Sequence, residues 1–397
     1  MDVPKYKTVA GICLPEAEIV PGQIQICIHN TTVDECIEYT KVLEKNNYVQ
    51  YDSKKIPAGS GKSYNQNLFY TYTAKNMVIF IFFVASCRTV SITVTNNQLL
   101  PPVESFMSRG DTKAVPTVSQ CRLSKGYVYI IQLSDKSFVL IDGDKSDNDD
   151  VKVLYEYLQK KTAGNKKPLI AMWLLTHPDY DHISLVTDFI KDYSDKVEIS
   201  AFAYQFTDCD KMQYVYIDAS KIKSDIERFE NNVKLYYPES AVFTLHTGQR
   251  YYFPGAEIEI LLTADMIYPY FYTSANDTSC ALRVNFDKGK TVMFLGDCMQ
   301  YACRQLAYIY GDYLKSDLLQ ITHHGLIGGE LGLYKLIDPE ICLWSTHKER
   351  FMGTLDGQKY QWCIGEGGCD YNSWIRDDSI RKRKHYHLEN AAIIECM

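Results

Sequence analysis

Four side chains able to bind a metal ion fall within one short run, His177-Pro-Asp179-Tyr-Asp181-His182. Imidazole and carboxylate donors mixed in this way suit zinc, manganese or iron rather than a thiolate structural site. The apolar stretch Leu169–Leu175 precedes the run, and Ile183, Val186, Phe189 and Ile190 follow it on one helical face. The four donors therefore sit in a loop where a strand ends and a helix begins, the place where α/β architectures keep reactive groups. A lone Asp-His there would be a helix cap and a surface histidine; four donors at this spacing are not. Two more segments repeat the design. Val292-Met-Phe-Leu-Gly296-Asp297 brings a carboxylate to the end of an apolar strand, and Leu318-Leu-Gln-Ile-Thr322-His323-His324-Gly325 brings two imidazoles. Asp142, just past another apolar stretch, ends a fourth strand in the same fashion.

Together these segments resemble the metallo-β-lactamase fold superfamily, whose signature is His-x-His-x-Asp-His. Within it they are most similar to the hydrolase domain of the ComEC-type DNA-uptake proteins and their free-standing relatives. Those carry His-x-Asp-x-Asp-His, then a strand ending in Gly-Asp, then His-His-Gly, in the order found here. Asn276-Asp-Thr-Ser279, ahead of an apolar strand, also looks like that group. The likeness spans roughly residues 117 to 350 and does not extend to the first hundred.

The resemblance implies an α/β fold, a four-layer αβ/βα sandwich with metals at one edge of its two sheets, preceded by a small α+β N-terminal domain. Carried over residue by residue, His177 and Asp179 would serve one metal, and Asp181 and His182 the other. Asp297 would bridge them, and His324, preferred over His323, would complete the shell. Asp181, Asp297 and His323 would be the catalytic residues, with His323 an outer-shell group or proton donor. Asp142 resembles the early aspartate that orients the ligand loop. Two divalent ions are expected, zinc first, with manganese or iron as alternatives. They would lower the pKa of a shared water so that hydroxide is available as nucleophile. The expected substrate is a phosphodiester or related phosphoester, whether a small molecule, a nucleotide or a nucleic acid. A redox di-iron protein and a catalytically silent metal-binding module are the alternatives; the former relies on a flavin-binding partner domain that nothing here resembles.

The chain departs from that group in three ways. Ser184-Leu185 replaces a glycine pair and Leu326 follows His-His-Gly, and both changes are expected to alter the pocket walls. A clear third histidine for the first metal is missing. His246 lies in a suitable interval, but Phe243-Thr-Leu-His246 has the pattern of a strand, which favours an ordinary strand residue.

The elements that must position these groups are legible in outline. At 397 residues with 46% apolar and 23% charged side chains, the chain can bury a full core and is not of disordered composition. A net charge of −7 argues against a nucleic-acid coat protein. The dense basic run Arg381-Lys-Arg-Lys384 fits a solvated face better than a phosphate-contacting edge. The thirteen cysteines are odd in number and form no CxxC pair, so no disulfide framework is implied, and Cys363 and Cys369 are only a weak candidate pair. Scattered thiols and an N-terminus without a leader-like apolar stretch point to a cytoplasmic protein without membrane insertion. The longest apolar run, Met77 to Ala85, is too short for a membrane span of ~20 residues and fits a buried strand.

Residues 1–100 are expected to form the small domain. Ile24, Ile26 and Ile28 alternate as in a strand, Thr32 and Glu35 form a capping box for a helix, and strands follow near 68–73, 77–84 and 89–95. A turn-rich break leads to a linker at 101–116 and the hydrolase domain at 117–397. There a hairpin is expected at 127–133 and 137–141, a helix at 151–161, and strands near 197–202, 258–262, 281–286, 291–295, 318–322 and 341–344. Gly59-Ser-Gly61-Lys62-Ser63 resembles the end of a P-loop, but Ile56 stands where its first glycine should, and a flexible loop is the better reading.

Overall fold

The computed structural model describes residues 3–396 except 19, 58–65, 104–113, 125, 146, 148, 163, 165, 212–218, 267–273, 288, 327, 356–376, 388, 389 and 392. The Gly59–Ser63 loop, Cys363 and Cys369 fall outside the described residues.

The alternating isoleucines do form a strand, Gln23–His29, in a six-stranded antiparallel sheet. Its order runs Ile12–Cys13, Gln23–His29, Thr89–Asn96, Met77–Val84, Gln66–Ala74, Val49–Pro57. The helix Val33–Lys45 begins with the expected box: Thr32 accepts from the Glu35 amide and the Glu35 carboxylate from the Thr32 amide. Its Cys36, Tyr39 and Leu43 pack with Ile28, Tyr72, Ile79 and Ile81 on one sheet face. The other face is also covered. Gln23 and Gln25, which the alternation places outside, are buried against the rest of the molecule.

The remaining strands make two sheets. In one, the central strands Phe138–Ile141, Leu169–Leu174, Ala201–Tyr204 and Ala241–Thr244 run parallel, while Tyr127–Gln132 and Thr117–Arg122 extend it antiparallel. Ile393–Glu395 returns to pair with Thr117–Arg122, so the two ends of this part of the chain lie side by side. In the other sheet Arg250–Phe253, Ala256–Leu262, Ala281–Phe286 and Thr291–Phe294 are antiparallel, and Leu318–Gln320, Ile341–Leu343 and Lys384–Tyr386 continue parallel to the last of them.

The inner faces of these sheets share one core, with Ile131, Val139, Met172 and Leu174 from the first and Ile258, Leu282, Val292 and Phe294 from the second. Helices Asp150–Lys161, Tyr180–Asp192 and Ala219–Tyr236 cover the outer face of the first sheet through Leu154, Phe189 and Phe229. Helices Gln300–Tyr310 and Leu331–Ile337 cover the second through Leu306, Tyr310, Leu333 and Ile337, and the N-terminal sheet joins the same cluster with Ile56, Phe69, Phe82 and Val84. This is the expected four-layer mixed α/β sandwich. Among the described residues no helix is long and apolar enough to cross a membrane.

Candidate metal centre

Parallel strands send their carboxyl ends the same way, and loops at those ends are where open α/β sheets collect functional groups. Asp142 follows Phe138–Ile141, His177 follows Leu169–Leu174, Asp297 follows Thr291–Phe294, and His323 and His324 follow Leu318–Gln320. The turns that aim them are unusual. Asp142, His323 and His324 all have left-handed backbones, at φ 55°, 48° and 54°. Each such non-glycine residue costs about 1–3 kcal/mol, and strain of this kind collects at functional sites. Gly296, at φ 52°, must be glycine for a second reason: a Cβ there would stand 2.7 Å from Thr176 Oγ1.

The loop bearing His177 and His182 and the loop bearing His323 and His324 meet at Asp297. Its Oδ2 lies 3.3 Å from His182 Nε2, 3.6 Å from His324 Nε2, 3.8 Å from His323 Nε2 and 4.0 Å from His177 Nε2. His324 Nε2 is 3.5 Å from Asp181 Oδ2, and His177 Nε2 is 3.8 Å from Asp179 Oδ2. Two tight donor groups result, His177 with His182 and Asp297, and Asp181 with His182 and His324, their ligand atoms within 4.8 Å of one another. Asp179 stands beside the first group, within reach of His177 alone. Of the two neighbouring histidines, His324 enters a donor group and His323 stays outside both.

The ring orientations are fixed from behind. Asp142 Oδ2 accepts from His182 Nδ1 at 2.9 Å and from Thr176 Oγ1 at 2.8 Å, and its Oδ1 accepts from the Thr176 amide. Because the Thr176 hydroxyl proton goes to Asp142, its oxygen accepts from His177 Nδ1 at 3.0 Å. His324 Nδ1 donates to the Ser345 carbonyl at 3.1 Å. All three rings thus present Nε2 to the centre, the orienting device that metal-binding imidazoles use.

The donors also pass a test of fit. His177 Nε2, His182 Nε2, His324 Nε2, Asp179 Oδ1 and Asp297 Oδ1 are buried with no hydrogen-bond partner. Such atoms are rare in folded proteins and call for an explanation. Two donors each about 2.1 Å from one ion stand roughly 3–3.5 Å apart, close to the shorter spacings here. Divalent metal ions fit this set.

The charges point the same way. Burial, with His182 adding to it, holds His177 down at about 4, so its ring is neutral near pH 7. Burial pushes Asp179 up to about 7, and Asp181 adds to the rise. Burial also opposes charge on His182, His324, Asp181 and Asp297, but attraction among them prevails. Asp297 and Asp142 hold His182 well above the ordinary imidazole value, and Asp297 and Asp181 hold His324 at about 9. Asp181 and Asp297 are in turn held below the usual carboxylate range by those imidazoles. Protons on two rings balance these carboxylates; a cation would do the same.

A cavity of about 20 Å³, room for about one water, adjoins the centre, lined by Tyr127, Tyr129, Asp144, Asp181, His182 and His324 among others. Burial pushes Asp144 up to about 6. Ser184 and Leu185 are buried and do not line this cavity. The Ser184 hydroxyl and the Leu185 amide both donate to the Asp144 carbonyl, and the Leu185 side chain joins the helix-side core. Leu326 is buried as well and does not line that cavity.

His246 has both ring nitrogens engaged. Its Nδ1 lies 3.3 Å from Asp265 Oδ2 and its Nε2 3.1 Å from Gln98 Oε1, and its ring stacks on Phe80 at 3.9 Å. Two members of the basic run are paired locally, Lys382 with Asp378 at 2.7 Å and Arg383 with Asp338 at 2.5 Å, and Lys384 lies over Tyr386.

Sequence reasoning missed Gln320. Its Oε1 accepts from the Leu295 amide and its Nε2 donates to the Gly296 and Ile321 carbonyls, clamping the Asp297 turn to the His323-His324 turn. An amide inside the apolar run Leu318-Leu-Gln-Ile was the available signal.

No family model matches the chain, and no curated protein does. Solved structures do resemble it. The metallo-β-lactamase fold protein YhfI from Bacillus subtilis is 15% identical, with 70% of this chain and 99% of that chain covered and a TM-score of 0.40. CmlA, a diiron β-hydroxylase from Streptomyces venezuelae, is 9% identical over 71% of this chain and 54% of that one, at a TM-score of 0.41. A long form RNase Z from yeast is 9% identical over 69% and 44%, at 0.36. The chain spans about half the length of the latter two. At these scores the likeness concerns the course of the chain alone, and the activities of these proteins do not pass to it.

Proposed function

We propose that this chain is a dinuclear-metal-dependent hydrolase acting on a phosphodiester or related phosphoester. The observation that carries the proposal is the set of five buried, unpartnered donor atoms on three strand-end loops around Asp297. His177 and Asp179 would hold one metal, Asp181, His182 and His324 the other, and Asp297 would serve both. When bound, the metals would lower the pKa of a shared water and neutralise charge at the attacked phosphorus. The chain's own residues do the rest. Asp142, Thr176 and Ser345 keep the three imidazoles aimed, so the centre needs little rearrangement on loading. His323, outside both donor groups yet 3.8 Å from Asp297, would give a proton to the leaving oxygen. A carboxylate-rich centre favours hard ions, and paired hard ions suit in-line displacement at phosphorus.

The test is elemental analysis of protein purified without chelators, followed by assays with bis-nitrophenyl phosphate, single-stranded DNA and a β-lactam. Phosphoester turnover that chelation abolishes and manganese or zinc restores is the expected result. Lactam hydrolysis without phosphoester turnover would reverse the substrate assignment. Metal-free protein that gains no thermal stability from zinc, manganese or iron would overturn the proposal altogether.

A further inference from the structure

The two donor groups are unequal. With His182, common to both groups, given to the ion beside Asp181 and His324, that ion has four donors including Asp297, and His177, Asp179 and Asp297 leave the other three. His246, the nearest histidine in sequence, has both ring nitrogens engaged elsewhere. The Ala275–Thr278 turn meets the centre where Asn276 faces His323. It is tied to two ligand strands: the Cys280 amide donates to the Thr176 carbonyl at 2.8 Å, and Ser279 Oγ accepts from the Asp297 amide at 3.1 Å. Thr278 Oγ1 braces the turn from within by donating to the Ala275 carbonyl. Asn276 projects from it with only 8% of its surface exposed. Its Nδ2 lies 3.4 Å from His323 Nε2, which is itself 3.8 Å from Asp297 Oδ2. Its Oδ1 is buried and has no hydrogen-bond partner. A buried amide oxygen left unpaired costs on the order of 1–3 kcal/mol, and a cation removes that cost.

We infer that Asn276 is the missing donor of the first metal, through its side-chain oxygen, and that the two metal positions therefore differ in chemistry. This rests on the two-metal reading above. The first position has one imidazole and three oxygens, a set suited to Mn²⁺; the second has two imidazoles and two oxygens, a set that accepts Zn²⁺ readily. The chain is then a mixed-preference centre, with the harder ion beside His177.

Calorimetric titration of metal-stripped protein with Mn²⁺ and with Zn²⁺ separately, with elemental analysis, tests the assignment without any activity assay. Wild type should take two equivalents. Asn276→Ala should keep one and lose the other, its affinity falling by roughly 100-fold or more, since changes behind a ligand alone cost 10–100-fold. Asn276→Asp, which keeps an oxygen donor, should restore both equivalents, and Asn276→His should restore both with the lost position now preferring Zn²⁺. If Asn276 merely tethers His323, Asn276→Ala keeps both equivalents at unchanged affinity, and the assignment is overturned. Should Asn276→Ala not fold, the Zn²⁺ preference of Asn276→His decides alone, an unaltered preference overturning the assignment. Wild type that binds one equivalent or none would sink the two-metal reading itself, a result distinct from the others.

Discussion

Two buried clusters of histidine and aspartate among the described residues differ in one respect. Around Asp297, three imidazoles have their rear nitrogens bonded and their front nitrogens unpartnered. At the seam between the N-terminal sheet and the rest, His246 and Asp265 leave nothing open. Both His246 nitrogens are engaged, and Asp265 accepts from Thr93 and Thr263 through its two oxygens, while its carbonyl takes a bond from Gln25. Residue types are the same in both places. A histidine–aspartate pair whose own polar atoms are all engaged fastens two parts of the chain together, and one whose front nitrogens are open can take a ligand.

That contrast breaks if the seam proves to hold metal. His246→Ala leaves the Asp265 carboxylate buried without its principal partner, and losing one member of a buried pair costs about 3–5 kcal/mol. Urea unfolding should show a loss of that order while metal content stays the same; a fall in metal content would erase the distinction. Asp297→Asn should do the opposite. The volume is nearly kept and the fold survives, as circular dichroism will show, but a negative charge between two dications is gone. Metal at the second position should drop and phosphodiesterase activity fall by roughly two orders of magnitude or more. Unchanged activity would mean that Asp297 does not bridge.

A smaller effect sharpens the role of the residues behind the ligands. Asp142→Asn keeps the size of the side chain but loses its hold on His182 and Thr176, and metal affinity should weaken by about 10–100-fold. An unaltered affinity would show that the orienting bonds at Asp142 do not matter. The mildest test is pH. His324 at about 9 and Asp179 at about 7 both carry protons that a metal must displace, so metal affinity should climb from pH 6 to pH 9. The rise is at most about tenfold per unit for each proton displaced, and competition titrations at three pH values would measure it. A flat profile would mean that these donors are not the ligands.

Much of the centre was legible because chemistry and local pattern coincide there. Strand ends announce themselves by apolar runs stopping at His177, Asp297 and His323, and the Thr32–Glu35 box needs only a few residues to form. What escaped depends on distant partners. Val49–Pro57 has no clear alternation because its polar residues are used by the other part of the molecule: Asp52 pairs with Arg250, and Lys54 pairs with Glu259 at 2.6 Å. Gln25 looked solvent-facing for the same reason, since its partner Asp265 is far along the chain. The left-handed turn at His323 and His324 has no local signature either, because the bonds that impose it reach across to Gly296 and Ser345.

The way the N-terminal sheet sits on its neighbour also bears on inheritance. Phe69 and Phe82 rest in the cluster of Leu306, Ile309 and Tyr310, and the Asn67 side chain caps the Ile309 carbonyl. A recombination event that separated the two halves would strip an apolar face from each and leave that carbonyl bare. Neither half can be traded freely among genomes as an independent cassette, so substitutions on one side of the seam are filtered by what stands on the other. Lineages of this protein should therefore carry the two halves as a single heritable unit, even where the metal-binding loops diversify.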